Sequence, residues 1–184
     1  MPANVSDGIQ YAVDVVEKKI VACDYVQRAC QRFLDDFERE GFEYHFNQEE
    51  AQDVLNFFSM LRHTKGEWAG TEFVPEPWQV FTLINIFGWF HNSDPTRRRF
   101  NFVHIEVARK NGKSTMAAGI LLYCFLCCGE EGAECYTMAV TREQAKIIFE
   151  EAKRMIRKNP DLSADLDLFK DNISCIDTNS VDRS

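Results

Sequence analysis

Residues 100–128, FNFVHIEVARKNGKSTMAAGILLYCFLCC, read as a strand, a short basic turn and a buried helix. Phe100 to Val107 interleave apolar, aromatic and β-branched residues with polar ones, as a strand does. Met116 to Cys128 is continuously apolar or glycine, the composition of a helix packed beneath a sheet. Between them lies Gly112-Lys113-Ser114-Thr115. In a phosphate-binding loop, glycine lets the backbone turn so that successive N–H groups face the β- and γ-phosphates, lysine neutralises their charge, and the next hydroxyl holds Mg²⁺. A helix that starts at Lys113 adds its positive end. The general pattern has a further glycine where this chain has Val107, followed by Ala108, Arg109, Lys110 and Asn111. A bare Gly-Lys-Ser triplet also occurs in ordinary basic turns. Its place between a strand and a buried helix favours a nucleotide loop.

The chain has 184 residues, room for one medium domain or a piece of a larger one, and a hydrophobic fraction of 45%, ample for a packed core. Net charge is −8 and uneven: residues 1–60 hold 12 acidic and 5 basic side chains, residues 61–184 hold 17 and 16. That balance argues against a broad grip on a nucleic acid backbone, which needs many Lys and Arg against phosphate. No charged leader precedes an apolar run at the N-terminus, so no secretory signal is expected. The longest apolar run, 116–128, is too short to span a bilayer. Seven cysteines, an odd number, fit reduced thiols in a cytosol. Cys124, Cys127 and Cys128 fall inside the apolar run with no second pair at ligand spacing, and read as buried structural cysteines.

Apolar spacing predicts amphipathic helices over 9–22 and 25–40, with Asp24 as an N-cap and Gly41 as a stop. The carboxylates of Asp35, Asp36, Glu38 and Glu40 read as a solvated face. A third helix is expected over 49–61, capped by Asn47, and a fourth over 78–90 with Pro77 in its first turn. Residues 65–77, punctuated by Gly66, Gly70, Pro75 and Pro77, read as a linker between a helical region (1–64) and a nucleotide domain (78–184). Gln79 carries an amide that both donates and accepts, as reading an adenine edge requires. On the residues alone the favoured reading is a helix-start glutamine in solvent. Arg97 to Arg99 read most simply as loop charges that aid solubility, with contact to DNA as the alternative. Gly129 to Gly132 form a turn, 134–140 a second strand, Thr141 caps a helix over 142–158 ended by Asn159-Pro160, and Ile173 to Ile176 form a further short strand. Strand, helix, strand, helix predicts an α/β fold: a P-loop NTPase-type parallel sheet with right-handed crossovers, flanked by helices.

Hydrolysis of ATP needs a second strand ending in an acidic residue for Mg²⁺, beside a glutamate that activates water. No run of four apolar residues followed by Asp-Glu is present. Asp35-Asp36, Glu130-Glu131 and Glu150-Glu151 fall on predicted helices or a turn, and Ile176-Asp177 follows a polar segment. The ATPase core is therefore expected to be incomplete.

These residues together resemble the large subunit of the terminase of tailed bacteriophages. The likeness runs over IVACDYVQRACQRFLDDFE (20–38), LRHTKGEWAG (61–70), Pro77-Trp78-Gln79, FGW (87–89), the loop VARKNGKST (107–115) and AVTREQAKIIFEEAKRM (139–155). The resemblance implies an ATP-driven motor that packages viral double-stranded DNA into a procapsid in the host cytoplasm. Its partners would be a terminase small subunit and a portal protein, with a homo-oligomeric ring as the working form. It further implies that Arg109 contacts the γ-phosphate, Lys113 the β- and γ-phosphates, Ser114 (or Thr115) Mg²⁺, and Gln79 the adenine, while Ala108, Lys110, Asn111 and Gly112 complete the cradle. Coupling and nuclease motifs of that family are missing, so little turnover is expected from this chain alone. Another P-loop NTPase such as a helicase, or a non-catalytic binding module, are the competing readings.

Overall fold

The computed structural model describes residues 3–128 and 133–175. The turn expected at Gly129 to Gly132, with Glu130-Glu131, and the segment from Ile176-Asp177 onward lie outside them. The chain divides into two units, Met1–Ser59 with Val74–Glu106, and Met60–Phe73 with Val107–Ser184.

In the first unit, α1 (Val5–Val16) starts four residues before its expected place. Asn4 accepts from the Asp7 amide at 3.1 Å while the Asp7 carboxylate accepts from the Asn4 amide at 2.9 Å, a reciprocal cap stronger than any start signal further on. Lys18, in a left-handed conformation at φ 61°, closes that end, so 17–22 does not continue the helix. A β-carbon on Gly8 would stand 2.6 Å from Ile84 Cδ1 and 3.1 Å from the Phe81 amide nitrogen, so a larger residue there would make Ile84 of α4 (Pro77–Phe87) give way. α2 (Asp24–Glu38) carries Phe33, wholly buried, whose ring meets Phe37, Phe46, Phe81 and Trp89 at centroid distances of 5.1–5.9 Å. Edge-on packing of this kind suits the ring quadrupoles. α3 (Gln48–Met60) is capped by Asn47, as expected.

The helix expected to reach Phe90 stops at Phe87. Trp89–His91 instead form β2, paired antiparallel with β1 (Tyr44–Phe46) on one side and β3 (Asp94–Arg98) on the other. Trp89 faces the Phe33 cluster, and burial there outweighs one further helical turn.

Two charge readings are corrected. Asp36 is not on a solvated face: it is buried, and Arg99 donates to it at 2.7 Å while Arg39 approaches at 3.5 Å. Arg99, expected in a soluble loop, lies with its guanidinium over Phe42, Tyr44, Trp89 and Phe100, at 4.7–5.6 Å from their ring centres. The partners are 63 residues apart, so neither carboxylate nor guanidinium announces the other locally.

The second unit holds α5 (Lys113–Cys127), α6 (Arg142–Lys158), α7 (Pro160–Asp165) and a hairpin of β4 (Leu166–Leu168) and β5 (Ile173–Cys175). Asn159 ends α6 as expected but also starts α7, accepting from the Asp161 and Leu162 amides. Residues 60–73 form a hydrogen-bonded loop, closed by His63 N–H to Thr71 O at 2.9 Å and Gly70 N–H to His63 O at 2.8 Å. Buried Glu151 of α6 holds this loop through Thr64 Oγ1 and Lys65, and is itself gripped by Arg154 at 2.6 Å. Burial alone would push its carboxyl up, but the Thr64 and Arg154 hydrogen bonds, with the Arg154 and Lys65 charges, outweigh that and hold it below its ordinary value of 4.5. Lys153 Nζ, also buried, donates to Phe169 O at 2.8 Å and pins the hairpin turn.

The expected parallel sheet is not among the described residues, where both sheets are antiparallel. Residues 100–107 and 134–140 have strand composition but no ladder partner, so Phe102, Tyr136, Met138 and Val140 are left in solvent. The reason is physical: apolar alternation makes a strand only when another segment lies alongside.

Two outcomes follow from these ion pairs. Replacing Asp36 by Ala leaves the Arg99 guanidinium buried without its carboxylate and is expected to cost about 3 kcal/mol in denaturant unfolding, whereas Asp35→Ala stays within about 0.5 kcal/mol. Because Glu151 is more acidic folded than unfolded, its contribution to stability is present above about pH 4.5 and is lost as pH falls through the folded value. A series of thermal melts on the parent and Glu151→Gln should therefore converge on acidification; curves that stay parallel would refute the role given to Glu151.

Candidate nucleotide-binding loop

The loop is set by two left-handed residues, one on either side of Asn111. Lys110 takes φ 71° and Gly112 φ 68°, with ψ 8°. A left-handed turn costs a residue with a β-carbon about 1–2 kcal/mol and glycine almost nothing, so Gly112 is where the sequence permits the chain to reverse into α5. Lys113 is the first helical residue. Gly112 has no side chain to cap the helix, and the amides of Lys113 to Thr115 have no acceptor among the described residues.

Lys113 Nζ donates to Val107 O at 3.2 Å, so the ammonium spans the loop from its last residue to its first. Ala108, Arg109, Lys110, Asn111, Gly112 and Lys113 are exposed, while Ser114 and Thr115 are half-buried at the helix start. Among the described residues neither Arg109 nor Lys110 has an ion-pair or hydrogen-bond partner. The structure thus brings Val107 to Thr115 into one exposed, cationic turn with uncommitted amides, the donor set an anion of phosphate chemistry requires. Lys110 adds a left-handed residue that no glycine in the sequence announced.

Gln79 belongs to the first unit and is buried, not exposed at a helix start. Its Oε1 accepts from the Glu76 amide at 2.9 Å, and the Glu76 side chain accepts from the Gln79 amide in return. One end of its amide therefore fixes the helix, and the Nε2 end has no partner among the described residues.

The cysteines expected to be buried are not: Cys127 is exposed and Cys124 and Cys128 are half-buried, with Cys128 Sγ 3.6 Å from Tyr123 O. Among the described residues no cluster of His, Cys, Asp or Glu could hold a metal ion, and no helix is long and apolar enough to cross a membrane.

No curated protein and no solved structure matches the chain. The protein-family comparison does: residues 77–182 match the terminase large subunit ATPase domain. That match takes in Gln79, the whole loop and α5 to β5. The chain belongs to the terminase large subunit family, in its ATPase domain.

Proposed function

We propose that residues 107–115 cradle the triphosphate of ATP and that this chain is the nucleotide-binding part of a phage DNA-packaging motor. One observation carries the reading: an uncapped helix start, reached through left-handed Gly112, with the Lys113 ammonium resting on Val107 O inside the same turn. That carbonyl contact is one an ammonium exchanges readily for a charged phosphate oxygen, since charge-assisted hydrogen bonds are roughly twice as strong.

The residues fit a Mg²⁺-nucleotide. Lys113 neutralises the β- and γ-phosphates, the amides of Asn111 to Thr115 donate to their oxygens, and Ala108 and Lys110 shape the turn. Ser114, or Thr115 beside it, supplies the hydroxyl for Mg²⁺, which when bound offsets phosphate charge. Arg109, unpaired and exposed, reaches the γ-phosphate, where a guanidinium stabilises the charge that develops during transfer. Gln79 keeps its Nε2 hydrogens for a ring-nitrogen acceptor of adenine, and its bond to Glu76 holds the amide in one orientation.

Residues 100–107 and 134–140 would complete a parallel sheet when partner strands lie beside them, which is also where the acidic Mg²⁺ strand belongs. Turnover by this chain alone is accordingly low. The packaged substrate is double-stranded DNA in the host cytoplasm, with a small subunit, a portal and further copies in a ring as partners.

Titration with a fluorescent ATP analogue gives the test. Lys113→Ala should weaken binding at least about tenfold, the loss of one charge-assisted contact set, and Gly112→Ala should weaken it too, because the turn is strained by about 1–2 kcal/mol. Equal affinity in parent and Lys113→Ala overturns the assignment. Gln79→Ala is expected to lower affinity for the ATP analogue while leaving pyrophosphate binding unchanged, which separates base recognition from phosphate recognition.

A further inference from the structure

We propose that Lys110 is a positioning residue of the loop at 107–115 and that it acts through its backbone angle, which shapes one half of the anion cradle in a conformation its side chain disfavours. The inference rests on the reading of that loop as a phosphate cradle. Among the described residues, only Lys18 and Lys110 take a positive φ without being glycine, at 61° and 71°. A left-handed residue with a β-carbon is disfavoured about five- to thirtyfold against glycine, so each case needs something to offset it.

For Lys18 the compensation is local. It follows the end of α1, where its amide donates to Val15 O at 3.1 Å and the Lys19 amide donates to Asp14 O at 2.8 Å. The left-handed turn thus satisfies carbonyls that the helix leaves open. Lys110 follows no helix. Among the described residues no amide from Ala108 to Gly112 makes a hydrogen bond of ordinary geometry, and the Lys110 side chain is exposed without a partner. Nothing inside the chain offsets its conformation, and residues held in this way gather where a ligand or a switch makes use of them.

The use is visible in the order of the angles. φ is positive at Lys110, negative at Asn111, positive at Gly112 and helical from Lys113 onward. Backbone that alternates in hand turns successive N–H groups to one side and makes a concavity for an anion. Gly112 forms the half next to the helix and Lys110 the half away from it. Glycine takes its share of the shape at no steric cost. Lysine does not, so the loop holds the binding shape for a smaller fraction of the time, and apparent affinity falls by that fraction. Lys110 therefore sets the affinity of the cradle below what the same turn can reach.

The experiment is calorimetric titration of the full chain with magnesium pyrophosphate, a probe without a base, in Lys110→Gly, Lys110→Asn, Lys110→Met and Lys110→Val. All four remove the ammonium, so charge drops out of the comparison. They differ in how readily residue 110 turns left-handed: glycine most, asparagine next, methionine less and β-branched valine least. Affinity is expected to fall in that order, with Lys110→Gly about fivefold tighter than Lys110→Met. Thermal melts verify that all four fold, and Lys110→Asn, which accepts the angle without the looseness of glycine, separates the angle from flexibility. Equal affinity across the four variants, or Lys110→Val binding as tightly as Lys110→Gly, overturns the proposal. Lys113-dependent binding with a flat series at 110 removes the role of Lys110 and leaves the cradle standing, whereas equal binding by the parent and Lys113→Ala removes both.

Discussion

The start of α5 is a helix end without a cap, and the site depends on that omission. At four other helix starts the chain spends a side chain: Asn4 on α1, Asn47 on α3, Thr141 on α6 and Asn159 on α7 each accept from amides of the first turn, while α2, entered from Cys23, also lacks a side-chain cap. At α5 the cap position is glycine, which contributes only its backbone angles. Free amides at a helix end carry a partial positive charge, roughly half an elementary charge over the turn. Filling that position with Ser or Asp would stabilise the helix by about 1 kcal/mol and would occupy the donors an anion needs. The same glycine provides the left-handed turn, so one residue both aims the chain and leaves its amides free.

The two units are held by different means. In the first, the decisive term is aromatic burial around Phe33 and Trp89, rings that each remove on the order of 150–250 Å² from water. The Asp36–Arg99 pair sits at the edge of this cluster, where desolvating two ions offsets most of their attraction. Its effect is positional: it fixes where Arg99 lies against four aromatic rings and thereby ties Arg99, just after β3, to α2. In the second unit, polar locks matter more. Glu151 and Lys153 of α6 face the 60–73 loop and the β4–β5 hairpin through Thr64, Lys65 and Phe169, so one helix anchors two irregular segments.

Local signals were legible and distant ones were not. Asn47, Thr141 and the Asn159-Pro160 stop could be read because a cap and its amides lie within three residues, and the turn at Gly112 with the helix start at Lys113 was legible for the same reason. Asp36 and Arg99 read as solvent charges because each meets its partner across 63 residues. β2 was lost to a helix reading and the end of β3 to a loop reading, since strands as short as Trp89–His91 give no period to read. The misplacement of α1 was a boundary error of another kind: Asn4-Val-Ser-Asp7 is a local start signal that apolar spacing further along outweighed.

Sequence distance also separates what a nucleotide-binding loop requires from what hydrolysis requires. Everything that shapes the loop is local: the two left-handed residues are two positions apart, and the Lys113 to Val107 contact closes over six. Closing so short a loop costs little chain entropy, and the adjoining helix needs no sheet to begin at Gly112. Hydrolysis draws on a carboxylate held at a fixed distance from the γ-phosphate by a different strand, and that distance is imposed only when strands pair. Among the described residues 100–107 and 134–140 are unpaired, and Phe102, Tyr136, Met138 and Val140 lie in water. A turn encoded in nine consecutive residues can therefore form without a sheet, whereas hydrolytic chemistry of the kind proposed would require strands paired around it.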